Sequence, residues 1–182
     1  MITASSTSVK SWAVSSLKSW GSSIFFPELA VLRYDEHSHN NLIVDPDRES
    51  IVEPEFGNHY EIMIEVEMGK NSQFELRIGR SKDGQHFIPV VYNNKTKRLK
   101  FADKEADFQL NPGETKLSIR LFVDGNVGEA YINERACFSN VLSLSNTSTG
   151  VSLITSGGKA QIKRFSLWKM NSIWPNKDIL TQ

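Results

Sequence analysis

Two carboxylates frame one tight turn of this chain: Asp124 opens Asp124-Gly125-Asn126, and Glu129 follows it, with Tyr131 and Asn133 at alternate positions after that. Carboxylates that face each other across a hairpin are raw material for proton transfer or for holding hydroxyl groups. A turn carboxylate more commonly accepts hydrogen bonds from its own backbone, and that is the expectation for Asp124, with Glu129 bracing the hairpin. His37 and His39 lie two apart and would share a face of an extended segment, which suggests metal ligation with Asp35 or Glu36. No third ligand follows at a suggestive spacing, so the two are expected to be solvated loop histidines, with no metal and no cofactor. Cys137 is the single cysteine, which excludes an intramolecular disulfide and any multi-cysteine metal site. Placed between Ala136 and Phe138, it is expected to be a buried, inert thiol.

The elements that must position these groups read as strands. Leu117, Ile119, Leu121 and Val123 alternate with Ser118, Arg120 and Phe122, the period of two that turns one side of a strand inward. Asp-Gly between apolar-rich runs is a hairpin signal, and Ala130-Tyr131-Ile132 returns as the partner strand. Tyr60, Ile62, Ile64 and Val66 alternate with Glu61, Met63, Glu65 and Glu67, a half-buried strand with an acidic outer face. Phe74, Leu76 and Ile78 repeat the pattern, and turn signals at Gly69 to Ser72, Ser81 to Gly84 and Asn93 to Lys95 separate it from Phe87 to Tyr92 and Arg98 to Phe101. Strands recurring every ~8–12 residues with turns between them predict an all-β fold, a sandwich of two antiparallel sheets of jelly-roll or concanavalin-like lectin type. Ile24 to Arg33 reads as the first strand and residues 35–58 as a long polar loop with a strand or two at its apolar islands, Leu42 to Val44 and Ile51 to Val52. The expected organisation is a serine-rich tail over 1–23, a sandwich over 24–174 and a short tail over 175–182.

A chain of 182 residues can bury a sizeable core in one domain without disulfides or metal. Lys plus Arg and Asp plus Glu are 21 each, so no global field favours nucleic acid or an anionic membrane. The N-terminus has no continuous apolar run of signal-peptide type, and no stretch nears the ~18 apolar residues of a membrane span.

The string V-D-G-N-V-G-E-A-Y-I-N, Val123 to Asn133, resembles the V-D-x-S-x-x-E-x-F-x-N hairpin in the C-terminal β-sandwich domain of glycoside hydrolase family 32, the invertases, levanases and inulinases. Asp124, Glu129 and Asn133 match that pattern, and Tyr131 stands in for its phenylalanine. G-V-S-L-I-T-S-G-G-K-A-Q-I-K-R-F-S-L-W is similar to the family's closing strands, and S-W-G-S-S-I-F-F-P-E-L to the segment that leaves the catalytic propeller. Where relatives end a short strand in Asp-Arg, Phe101-Ala102-Asp103-Lys104 carries lysine, which lacks arginine's bidentate fork.

The resemblance implies a domain without catalysis of its own. The family's propeller motifs, W-M-N-D-P-N-G, E-C and R-D-P, do not occur here; Asp45-Pro46-Asp47 lacks the arginine, and Cys137 follows alanine. It implies an accessory module that packs on a five-bladed propeller acting on sucrose, levan or inulin, with Trp12, Trp20, Phe25 and Phe26 at the interface, in some relatives also within a homodimer. Two alternatives stand beside it: a free-standing fructan-binding module, and a protein-interaction domain with no sugar site. For sugar, Trp168, Trp174 and Tyr131 are the stacking candidates and Asp124, Glu129, Asn133, Arg77 and Arg80 the hydroxyl partners; the competing place for Trp168 is the sandwich core.

Overall fold

The computed structural model describes residues 27–145 and 147–171. A helical turn α1 (Pro27–Ala30) precedes twelve strands: β1 (Arg33–Val44), β2 (Ser50–Glu53), β3 (His59–Met68), β4 (Gln73–Arg80), β5 (Ile88–Asn93), β6 (Arg98–Phe101), β7 (Lys104–Asp107), β8 (Lys116–Asp124), β9 (Val127–Ile132), β10 (Ala136–Val141), β11 (Gly150–Ser156) and β12 (Ala160–Met170). They form two six-stranded sheets, sheet A in the order β1-β12-β3-β8-β9-β10 and sheet B in the order β2-β11-β4-β5-β6-β7. All named strand pairs are antiparallel. The predicted two-sheet sandwich is what the chain forms.

Period-two alternation builds the core directly. Ile62, Ile64, Phe165 and Leu167 of sheet A and Phe74, Leu76, Tyr92 and Phe101 of sheet B are each no more than 1% exposed. The two open edges are closed on the β10/β7 side by polar groups. Asn140 Nδ2 donates to the Phe101 carbonyl at 2.7 Å, and Lys104 Nζ donates to the Ser139 carbonyl. The lysine that replaces the family arginine thus ties the edge of one sheet to the edge of the other, which blunts an edge open to pairing with another chain.

Two expectations about the strands are corrected here. Of the expected first strand, Ile24 to Arg33, the described part is not strand before Arg33: the helical turn α1 opens at Pro27, where a missing N–H costs nothing, and β1 begins at Arg33. Residues 35–41 are not loop but part of β1, whose polar sequence hid it. An edge strand hydrogen-bonded to β12 needs no apolar alternation where most of its side chains meet water, and a bulge between Tyr34 and His37 breaks what pattern there is. The apolar islands Leu42 to Val44 and Ile51 to Val52 do fall in strands, β1 and β2.

The histidines are accordingly not free loop residues. His37 Nδ1 lies 2.8 Å from Glu53 Oε1, joining the edge strand of sheet A to that of sheet B, and Asp35 Oδ1 lies 3.5 Å from its Nε2. The hydrogen bond to Glu53 holds the imidazolium above its ordinary value of 6.5, with partial burial opposing and Asp35 adding a smaller push. Because the folded value is raised, the stabilisation is fully present below 6.5 and is lost as pH rises through the raised value. Melting temperature is therefore expected to fall as pH goes from about 5.5 to about 8.5, and the fall should flatten in His37→Gln. An equal slope in both proteins would remove this pair from the account.

Candidate functional site

The β8–β9 hairpin lies in the middle of sheet A, and its register decides which groups meet. Asp124 pairs with Val127, Phe122 with Glu129 and Arg120 with Tyr131. Residues directly opposite in an antiparallel pair point to one side of the sheet, so all six share the outer face. On the next strands, Glu61 stands opposite both Phe122 and Trp168, and Met63 opposite Arg120. Trp168 is therefore on the outer face rather than plugging the core, which Leu167 and Phe165 fill. The Arg33 guanidinium packs 4.2 Å from its ring centroid, so one face of the indole is already covered.

At the centre of this face lies a group that composition and turn motifs did not single out. Glu61 is 0% exposed, although it belongs to the acidic face expected to meet water. Its Oε2 accepts from Arg33 Nε at 2.8 Å, and its Oε1 accepts from Arg33 Nη2 and Arg120 Nε, each at 2.7 Å. Two guanidinium groups neutralise one desolvated carboxylate, and the aromatic rings of Trp168 and Phe122 roof the arginines. The available signal was the alternation itself: Glu61 in β3 and Arg120 in β8 occupy outward positions of strands that turned out to be adjacent.

Asp124 does not bond its own turn. Its Oδ1 lies 2.7 Å from His59 Nδ1, fastening the start of β3 to the end of β8. Glu129 accepts from the Tyr131 hydroxyl at 3.2 Å, and desolvation followed by the Glu129 charge pushes that phenol up to about 12. Cys137, opposite Tyr131, is exposed rather than buried, since alternation in β10 sends Phe138 and Asn140 inward in its place. Desolvation of its sulfur, then the negative charge of Glu129, pushes the thiol above its ordinary value of 9.0, away from reactivity. Asn133 is a bracing residue with positive φ. Its Oδ1 accepts from the Ser118 N–H at 2.7 Å, and its Nδ2 donates to Glu114 Oε1 at 2.6 Å.

Arg77 and Arg80 lie on sheet B and so do not join that group. Both bond Glu49. Arg80 reaches its two oxygens at 2.9 Å each, Arg77 donates at 3.2 Å, and Ser152 Oγ donates at 2.6 Å. The Arg80 guanidinium, helped by Ser152 and Arg77 against partial burial, brings the Glu49 carboxyl down to about 2.

The third feature is the end of the sandwich at which the chain comes in. Arg33 and Met170 pair there, as do His59 and Asp124, and the loops 81–87 and 142–149 turn at the same end. Along the rim of sheet A at this proximal end, from the β1 edge to the β10 edge, Val31 (80%), Tyr34 (47%), Val127 (47%) and Val141 (85%) are exposed apolar side chains. A cavity of about 570 Å³ opens beside them, lined by Leu29, Leu32, Tyr34, Phe122 and Met170 with the His59–Asp124 pair at its wall. The expected interface residues Trp12, Trp20, Phe25 and Phe26, and Trp174, lie outside the described residues.

Comparison with known proteins places this architecture. Among curated proteins none matches the chain by sequence. Solved structures match its fold: exo-inulinase from Aspergillus awamori (TM-score 0.64, 12% identity, covering 80% of this chain and 31% of that one), sucrose-6-phosphate hydrolase from Lactobacillus gasseri (0.62, 20%, 81% and 30%) and fructan 1-exohydrolase IIa from Cichorium intybus (0.66, 13%, 81% and 37%). The chain spans about a third of the length of these enzymes. The family described as "Glycosyl hydrolases family 32 C terminal" matches residues 28–169, nearly the whole described sandwich, and the chain belongs to that family.

Proposed function

We propose that the chain is the non-catalytic accessory sandwich of a fructan- or sucrose-acting enzyme and that it docks its proximal end on a catalytic propeller. The observation that carries this is the coincidence of two features at one end. The backbone arrives there at Pro27, and there Val31, Tyr34, Val127 and Val141 are exposed beside an apolar-lined cavity. Exposed aliphatic and aromatic side chains that share one rim of a sheet mark an interface more than ones spread over the whole surface do. In a C-terminal domain the preceding domain must connect through the incoming strand, so this rim is the nearest surface available to it. The Arg33–Glu61–Arg120 cluster rigidifies the same sheet behind the rim, which lowers the ordering cost of docking.

The test uses a family 32 propeller from the same genome, stripped of its own sandwich, mixed with this chain. Co-elution and a raised propeller melting temperature are expected. Both should be lost in Tyr34→Asp/Val141→Asp, whose exposed positions leave the fold intact. Failure of the unaltered chain to bind, or indifference of binding to the double substitution, overturns docking through this rim. β-Fructosidase activity of the chain alone above a matched blank overturns the non-catalytic assignment.

A further inference from the structure

A second cleft, of about 1090 Å³ and lined mostly by polar residues, lies between the β4–β5 loop and the β10–β11 loop. That is at the top of the roughly 300–1,000 Å³ range of small-ligand clefts, with room for more than one sugar ring. One wall carries Ser81, Asp83 and Gln85, and the other Ser143, Ser145 and Thr147. Phe87 adds an apolar surface. The lining lysine, Lys82, is spent on Glu55 at 2.8 Å. A phosphorylated or polyanionic ligand needs a cluster of unpaired cations, and beyond the paired Lys82 the lining holds the single imidazole of His86. Hydroxyls, one amide and the Asp83 carboxylate, with Glu55 held by Lys82, together match a molecule whose surface is itself hydroxyl groups, each a donor and an acceptor.

The first wall is built, not loose. The Ser81 hydroxyl donates to Asp83 Oδ1 at 2.5 Å, the Gln85 N–H donates to the same oxygen at 3.0 Å, and the His86 N–H donates to Ser81 Oγ at 3.0 Å. Both bonds to Asp83 end on Oδ1, so Oδ2 is left to accept from a ligand. Arg80, held by Glu49, donates from Nη1 to the Ser81 carbonyl at 2.8 Å and clamps the turn from below. Gly84 at φ +73° lies so close over that guanidinium that a Cβ would sit 2.7 Å from Arg80 Nη2. Arg80 thus serves the cleft as a positioning residue and does not itself face it. Across the gap, Ser145 Oγ and Thr147 Oγ1 are 3.1 Å apart, and the Ser148 N–H donates to the Ser145 carbonyl at 2.9 Å. The Ser81–Asp83 wall, fixed in advance, reduces the entropy lost on capture.

We infer that the cleft between the β4–β5 and β10–β11 loops binds a neutral oligosaccharide through Asp83, Gln85 and Thr147. This cleft shares the proximal end with the rim assigned to the propeller but is lined by other residues, and it needs no propeller to be tested. The experiment is calorimetric titration of the full chain with 1-kestose, with inulin- and levan-derived oligosaccharides, and with cello-oligosaccharides. Saturable heat with a fructan, weakened at least tenfold in Gln85→Ala and in Thr147→Ala, is the expected result. These two substitutions leave the Ser81–Asp83 turn in place, and an unchanged melting temperature verifies that the fold survives. Heat with cello-oligosaccharides that is lost in the same variants also supports the cleft and reassigns its linkage preference. No heat with any of the sugars, or heat unaffected by both substitutions, overturns the inference while leaving the docking proposal standing.

Discussion

Glu61→Ala is expected to cost about 3–5 kcal/mol of folding stability, the range for removing one partner of a buried ion pair. Three hydrogen bonds end on this carboxylate, and the side chains that make them, Arg33 and Arg120, are only 16% and 12% exposed. Alanine deletes the negative charge and leaves two guanidinium groups facing each other in a partly desolvated site, so the loss includes their mutual repulsion. Glu61→Gln keeps the shape and one acceptor, and should fall between alanine and the unaltered chain. Denaturant unfolding measures both: the midpoint should drop while the slope stays constant. A cost for alanine below about 1 kcal/mol, the scale of an exposed salt bridge, would mean that water reaches the cluster.

The second large effect separates the two faces of β12. Phe165→Ala should cost about 3–5 kcal/mol, because Phe165 is 0% exposed and its deletion leaves a cavity between the sheets. Trp168→Ala, three residues on and therefore on the opposite face, removes a larger ring but should cost under about 2 kcal/mol, mainly its stacking with Arg33. Equal losses at the two positions would contradict the register of β12 against β3.

Much of the sandwich is legible in the sequence because alternation and turn chemistry agree. Tyr60 to Val66, Phe74 to Ile78 and Leu117 to Val123 place their apolar residues inward, and Asp124-Gly125-Asn126 turns as its type demands. β1 was hidden because an edge strand can be polar on both sides and still be held by backbone hydrogen bonds. Glu61 was hidden for a different reason. Outward position predicts exposure only when nothing covers the position, and its cover comes from Arg33, Arg120 and Trp168, 28, 59 and 107 residues away in sequence. The candidate sugar partners divided for the same reason: spacing along the chain cannot show that Arg77 and Arg80 belong to sheet B and Glu129 and Tyr131 to sheet A. The loops that form the polar cleft carry no periodicity at all, and their meeting depends on how the two sheets are stacked.

Docking through the proximal rim is tested most directly by hydrogen exchange on the chain, alone and with the family 32 propeller bound. Slowed exchange in Leu29 to Tyr34 and in Asp124 to Val127, with unchanged exchange in the distal loops 69–72 and 94–97, is the expected pattern. Protection confined to those distal loops, or to the outer face of sheet B, would contradict it and move the interface to the other side of the sandwich.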